Sequence, residues 1–255
     1  MKDRLKILDI WVDPLTREQA VERVSHILKN GTRPHAIFAS NPEKNFSIPA
    51  DPELHRVYGE ADMLLPDGIG MVYAARLLYN RVFQRIPGSE FIFDICALAA
   101  REGHGVFVYG AKEEVNAGAV KTLEGCFPGL TIAGREHGYV RDMEELVRKI
   151  NESGARILFL ALGSPRQEKW FAVHGTELTT VRVVQGIGGT LDTITGHVKR
   201  APEMWCRLNL EWLFRLLDDP RRIKRQRYLP VFAALVMKEK MLQVLGIRSS
   251  CTPLL

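Results

Sequence analysis

An aspartate flanked by glycine, Asp67-Gly68-Ile69-Gly70, follows the short apolar run Met63 to Pro66 and opens an apolar helical stretch. A carboxylate at the carboxyl end of a strand can take a proton from a hydroxyl nucleophile. The same aspartate also suits a helix N-cap, with the glycine allowing a tight turn. A second cluster, Gln185 to Asp192, sets Gly186, Gly188 and Gly189 after another apolar run. Glycines there let backbone N–H groups approach a phosphate or ribose closely. Asp192 either caps the next helix or hydrogen-bonds a ribose or base. A third cluster, Gly163 to Trp170, reads as a helix start, with Ser164 at the N-cap, Pro165 at N1 and Gln167 at N3 completing a capping box. Arg215, Arg222 and Arg225 are seven and three residues apart, so a nearly continuous helix would carry them on one face. They form either a solvated basic face or, as forked guanidiniums, a grip on a diphosphate.

These residues need elements to hold them. Six short apolar runs end in glycine, proline or a polar turn: His35 to Ser40, Met63 to Pro66, Gly105 to Tyr109, Leu130 to Ala133, Arg156 to Leu162 and Val181 to Gln185. Helix-like stretches such as Glu113 to Glu124 and Asp142 to Asn151 lie between them. Alternating strands and helices predict an α/β fold, a mainly parallel sheet with helices on both faces. In such sheets ligands sit at the carboxyl ends of the strands, where the clusters above fall. After Gly196 the pattern turns helical. Residues 1–196 are therefore expected to form the sheet domain, and 197–255 a helical appendage.

Charge divides along the same line. The chain has 255 residues and a net charge of +5, but His197 to Leu255 holds 12 Lys and Arg against 5 Asp and Glu. A basic tail on a near-neutral body points to an anionic partner. Hydrophobic residues at 46% and charged residues at 25% exclude a disordered chain. The four cysteines are scattered and form no CxxC pair, which predicts neither a zinc site nor a disulfide framework, in a reducing compartment. The first residues are charged and lack an apolar core, so no signal peptide is expected. A P-loop, a GxGxxG fingerprint, a GxSxG elbow and an HExxH pair are all missing. So is the Asp-x-Asp with which many sugar transferases hold a metal against a nucleotide diphosphate.

Seven short segments in register carry a resemblance. They are Asn41-Pro42-Glu43, Pro66 to Gly70, Arg85 to Gly88, Leu162 to Trp170, Gly186 to Gly189, Lys199 to Pro202 and Leu210 to Leu217. From about Leu8 to Leu245 the chain resembles the WecG/TagA/CpsF family of bacterial glycosyltransferases. The resemblance implies a Rossmann-like domain with a helical C-terminal appendage. It also implies inverting transfer of a sugar from a UDP-sugar to a polyprenyl-diphosphate-linked sugar at the cytoplasmic membrane face. Some members add N-acetylmannosamine for the linkage unit of wall teichoic acid, some the corresponding uronic acid, and others build capsule or exopolysaccharide. Asp67 matches the family's proposed base, and Asn41, Arg85 and Gln167 match active-site positions. Asp192 lies in the motif that binds the uridine end. Arg215, Arg222 and Arg225 match the appendage arginines thought to close over the diphosphate. In the mannosamine-transferring members a threonine stands two residues before the asparagine. Here that position is Ala39, with Ser40 beside it, so both bear on which sugar is taken.

The expected enzyme is thus a metal-independent hexosyltransferase with no cofactor. Tyr228 to Leu245, with Leu229, Phe232 and Val236 among its apolar residues but interrupted by Lys238, Glu239 and Lys240, is expected to lie on an anionic membrane surface. An apolar appendage could also be shared between subunits of a homo-oligomer. A basic nucleic-acid-binding module is the main rival. It is disfavoured because no recognised motif appears and Trp205, Trp212 and Phe214 fall on a helix expected to bury them.

Overall fold

The computed structural model describes residues 4–198, 202, 204–205, 211–218 and 227–247. An antiparallel hairpin, β1 (Leu5–Ile7) and β2 (Ile10–Val12), precedes the six expected strands. Those strands are β3 (His35–Ser40), β4 (Met63–Pro66), β5 (Gly105–Gly110), β6 (Thr131–Glu136), β7 (Ile157–Ala161) and β8 (Val183–Gly186). They form one sheet in the order β4-β3-β8-β7-β5-β6. Every pairing is parallel. The architecture is Rossmann-like.

Side chains alternate across this sheet as the two-residue pleat requires. Ile37, Leu65, Val108 and Phe159 face one core with α1 (Arg17–Asn30), α5 (Gly88–Glu102) and α6 (Glu113–Cys126). Phe38 and Leu64 face the other side, with α3 (Pro52–Glu60) and α4 (Ile69–Tyr79). Farther along that side, Phe107, Leu158 and Val184 meet α7 (Met143–Glu152) and α8 (Arg166–His174). Both faces are covered, which is why the strands read as continuous apolar runs.

The hairpin serves the sheet's edge. Asp13, just after β2, is buried; it takes a two-pronged Arg4 contact at 2.9 Å and the Leu64 N–H at 2.7 Å. The Ser40 hydroxyl donates to the Trp11 carbonyl at 2.7 Å. The carboxyl end of β3 and the middle of β4 are therefore tied to the hairpin segment. Two helices from the basic C-terminal part are described, α10 (Glu211–Asp218) and α11 (Tyr228–Val244). Phe232 and Val236 of α11 are buried in the core that contains α4, and Tyr228 stacks on Phe46 at 4.7 Å.

Candidate active site

The turns leaving β4, β3, β8 and β7 enclose a cleft of about 860 Å³, a volume typical of small-ligand sites. Asn41, Asp67, Arg85, Gln167, Gly186, Gly188, Gly189 and Asp192 all line it. These residues span 152 positions of sequence, and the parallel topology gathers them because each follows a strand's carboxyl end.

Asp67 is held by its backbone, whose N–H donates to the Ser40 carbonyl at 3.0 Å. The next residue, Gly68, occupies the N-cap of α4. A Cβ at Gly68 would lie 2.6 Å from Pro42 Cδ, and one at Gly70 would lie 2.7 Å from Pro42 Cγ. The Asn41-Pro42 turn therefore rests directly on the Asp67 turn, and only glycine permits that approach. The Asn41 carboxamide oxygen accepts the Lys44 N–H at 3.2 Å and starts the short helix α2 (Lys44–Ser47). Arg85 is half-buried, and its segment is tied beside β4 by the Ile86 N–H to the Pro66 carbonyl at 2.8 Å.

The expected capping box at α8 does not form. Pro165 occupies the N-cap position and makes no side-chain capping bond, and the Gln167 N–H donates to the Gly163 carbonyl. The Gln167 side chain instead reaches the glycine turn after β8, where its Oε1 accepts the Gly188 N–H at 3.0 Å. A Cβ on Gly186 would overlap the Gln167 carboxamide, and Gly188 has φ +57°. Both glycines are required by geometry, one for close approach and one for a left-handed backbone. Asp192 sits in the first turn of α9 (Thr190–Ile194) behind the cap residue Gly189, with its side chain on the cleft. Asp67 and Asp192 are therefore not the cap residues of their helices.

Ser40 stands apart from the other candidates. It is fully buried, with its hydroxyl committed to Trp11, while its neighbour Ala39 lines the cleft. Arg215 lies on α10, but its side chain is not among the described residues; Arg222 and Arg225 also fall outside them. One aromatic expectation needs correction. Trp212 is 38% exposed and lines the cleft, whereas Trp205 and Phe214 meet edge to face at 5.8 Å. On α11, Phe232 and Val236 are buried and line the cleft. The exposed apolar residues of this helix are Val231, Leu235, Met237, Met241 and Val244.

Sequence reasoning missed two charged residues. Lys44 and Glu168 pair at 2.7 Å with side chains 6% and 0% exposed. Burial pulls the Lys44 ammonium down, but the Glu168 carboxylate and other negative neighbours outweigh it and hold the ammonium above its ordinary range. Beneath it, Tyr58 is pushed up to about 12 by burial. Glu168 was visible in the segment Gly163 to Trp170, but nothing local identifies a partner 124 residues away. Among the described residues, no group of three or more His, Cys, Asp or Glu could hold a metal ion. No helix among them is long and apolar enough to cross a membrane.

A parallel sheet with a carboxylate, an arginine and a glycine turn meeting at its strand ends defines a Rossmann-like α/β protein with a candidate ligand cleft. A sequence model described as Glycosyl transferase WecG/TagA/CpsF family matches residues 5–244. The chain belongs to this family and is a glycosyltransferase. It is 38% identical over 200 residues to the N-acetylglucosaminyldiphosphoundecaprenol N-acetyl-beta-D-mannosaminyltransferase of Bacillus subtilis (strain 168), covering 78% of each chain. It is 37% identical over 205 residues to the protein of the same name from Bacillus spizizenii, covering 80% of this chain and 79% of that one.

Proposed function

We propose that this chain moves a sugar, N-acetylmannosamine or a related hexose or uronic acid, from a UDP-sugar to a polyprenyl-diphosphate-linked sugar, with inversion, in the synthesis of teichoic acid or another cell-surface polysaccharide. The observation that carries the reading is the convergence of Asp67, Arg85, Asn41 and the Gly186 to Gly189 turn on one cleft. The names of the two Bacillus relatives support the mannosamine donor and the lipid-linked acceptor.

Inversion requires the acceptor hydroxyl to attack the anomeric carbon from the face opposite UDP. Asp67 takes the proton of that hydroxyl as the new bond forms. The departing diphosphate gains charge. Strand-end N–H groups, Arg85, and Arg215, Arg222 and Arg225 of the appendage offset it without a metal. Asp192 and the glycine turn hold the uridine end, and Gln167 fixes that turn. Residues 1–196 supply the reaction cleft, and 197–255 close over it. The appendage also draws the protein to the anionic inner face of the plasma membrane. The apolar residues that α11 leaves exposed support that surface role.

The test is UDP release over a panel of UDP-sugars, with a synthetic prenyl-diphosphate-sugar acceptor, with and without EDTA. Acceptor-dependent UDP release that survives chelation is expected. No release with any donor refutes the transferase reading. Activity that EDTA abolishes and Mg²⁺ or Mn²⁺ restores refutes the metal-independent mechanism.

A further inference from the structure

The cleft has two chemically different parts. The mechanism above uses the polar part, where Asp67, Arg85 and the glycine turn meet. The other part is apolar and is built by two helices. Along α4, Ile69, Tyr73 and Leu77 recur every fourth residue and all line the cleft. Along α11, Leu229, Ala233 and Met237 do the same. Side chains four residues apart lie one above the other on a helix face. Each row is therefore a strip about 12 Å long. The α4 strip begins just after Asp67 and runs away from it along the helix. The two helices are close there, since a Cβ at Gly70 would lie 3.5 Å from Phe232 Cε1.

Seating α11 on the sheet domain does not account for these strips. Phe232 and Val236 make that contact and are buried in the core that contains α4. Tyr73 is 60% and Met237 55% exposed, and Ala233 between them in the cleft wall is exposed as well. Large apolar side chains left in water within a ligand cleft mark a binding surface. The α11 row also continues beyond the cleft. Met241 and then Leu245 follow at the same spacing, and both are exposed. They extend the strip onto the surface proposed above to meet the membrane.

We infer that the two strips seat the first isoprene units of the lipid-linked acceptor, with Tyr73, Ala233 and Met237 against the hydrocarbon. The inference rests on the reading of that acceptor as a polyprenyl-diphosphate sugar. Its covalent order is fixed: reacting sugar, then diphosphate, then hydrocarbon. A sugar hydroxyl at Asp67 puts the diphosphate in the polar part of the cleft, and the hydrocarbon must then leave from there. The strips give it an apolar path from the cleft to the exposed end of α11. Hydrocarbon laid against them leaves water, which adds acceptor affinity in proportion to the area covered. The lipid is then recognised by the protein itself, in addition to holding the acceptor in the bilayer.

The experiment follows UDP release with acceptors that share one sugar diphosphate and differ in the lipid: a methyl ester, a geranyl chain and a farnesyl chain. All are kept below their aggregation concentrations, without vesicles or detergent, so no bilayer takes part. For the wild type, kcat/KM should rise by about tenfold or more from methyl to farnesyl, mainly through the acceptor KM. Tyr73→Ser with Met237→Gln should reduce that farnesyl-to-methyl ratio to less than about threefold. The ratio is taken within each protein, so a change in overall turnover does not imitate the effect. If the double variant does not fold, Met237→Gln alone, on the exposed side of α11, should still lower the ratio. A wild-type ratio near one overturns the inference. So does a wild-type gain that the folded variants retain, and if those variants also bind anionic liposomes less well, the strips are a bilayer contact. A wild-type chain that releases UDP from no donor with any of these acceptors overturns the transferase reading instead.

Discussion

Gly186 offers the sharpest test of how the cleft is built. A Cβ there would overlap the Gln167 Nε2, lie 2.8 Å from its Cδ, and stand 3.0 Å from Phe38 Cδ1. Phe38 is fully buried in the core and cannot yield, so Gln167 must move. Overpacking of this kind costs about 1–3 kcal/mol. Losing the Gln167 to Gly188 hydrogen bond adds about 1 kcal/mol. Gly186→Ala should therefore destabilise the protein by about 2–4 kcal/mol, which at a urea slope near 3 kcal/mol per molar lowers the midpoint by about 1 M. UDP release should fall at the same time, since the glycine turn is no longer anchored. The decisive arm is Gly186→Ala combined with Gln167→Ala, which removes the colliding carboxamide. The double variant should cost less than the two single costs added together, with a coupling of about 1 kcal/mol or more. Strict additivity, or a Gly186→Ala protein with wild-type midpoint and turnover, refutes the contact and the argument built on it.

Asp67→Asn should keep the fold and UDP-sugar binding yet lose about 10²–10⁴-fold in turnover, the usual share of a general base; near-normal rates across pH would reduce Asp67 to a turn residue. Asp62 should carry acid sensitivity. Burial would raise its carboxyl, but Arg33 at 2.7 Å and the His35 ring at 3.1 Å outweigh burial and hold it below the usual range. Its contribution is full above the unfolded pKa of about 3.9 and is lost as pH falls through the lower folded value. Melting temperatures taken from about pH 5 down to pH 2 should therefore fall less steeply for Asp62→Asn than for wild type. On the appendage, Leu235→Glu with Met241→Glu should weaken co-sedimentation with anionic liposomes. Arg222→Glu with Arg225→Glu should weaken it as well, a cation at an anionic membrane being worth about 1 kcal/mol, and should also slow turnover on short soluble acceptors. Loss of liposome binding with full soluble activity would make those arginines lipid contacts alone.

Local composition specifies the sheet and gathers the candidate site residues at one of its edges. The runs around Ile37, Leu64, Val108, Phe159 and Val184 are apolar on both pleats and end in glycine or proline, so local composition specifies strands buried on both faces. Because each run leads into a helix, parallel pairing follows, and parallel pairing sends Asn41, Asp67, Gln167 and Gly186 to one edge. The tertiary structure decided which atoms meet there. Gln167 satisfies every local rule for a capping box, yet it bonds Gly188, because β7 and β8 are neighbours in the sheet. Ser40 looks like a substrate contact until the hairpin carbonyl of Trp11 claims its hydroxyl. The α11 helix carries apolar residues on every side, so no stripe marks the side that α4 covers. Lys44 and Glu168 read as ordinary surface charges, and only the fold, which closes 124 residues of chain between them, removes both from water. Periodicity and turn chemistry act over a few residues and are legible in order. Contacts between distant residues depend on which strand lies beside which, and no local spacing carries that information.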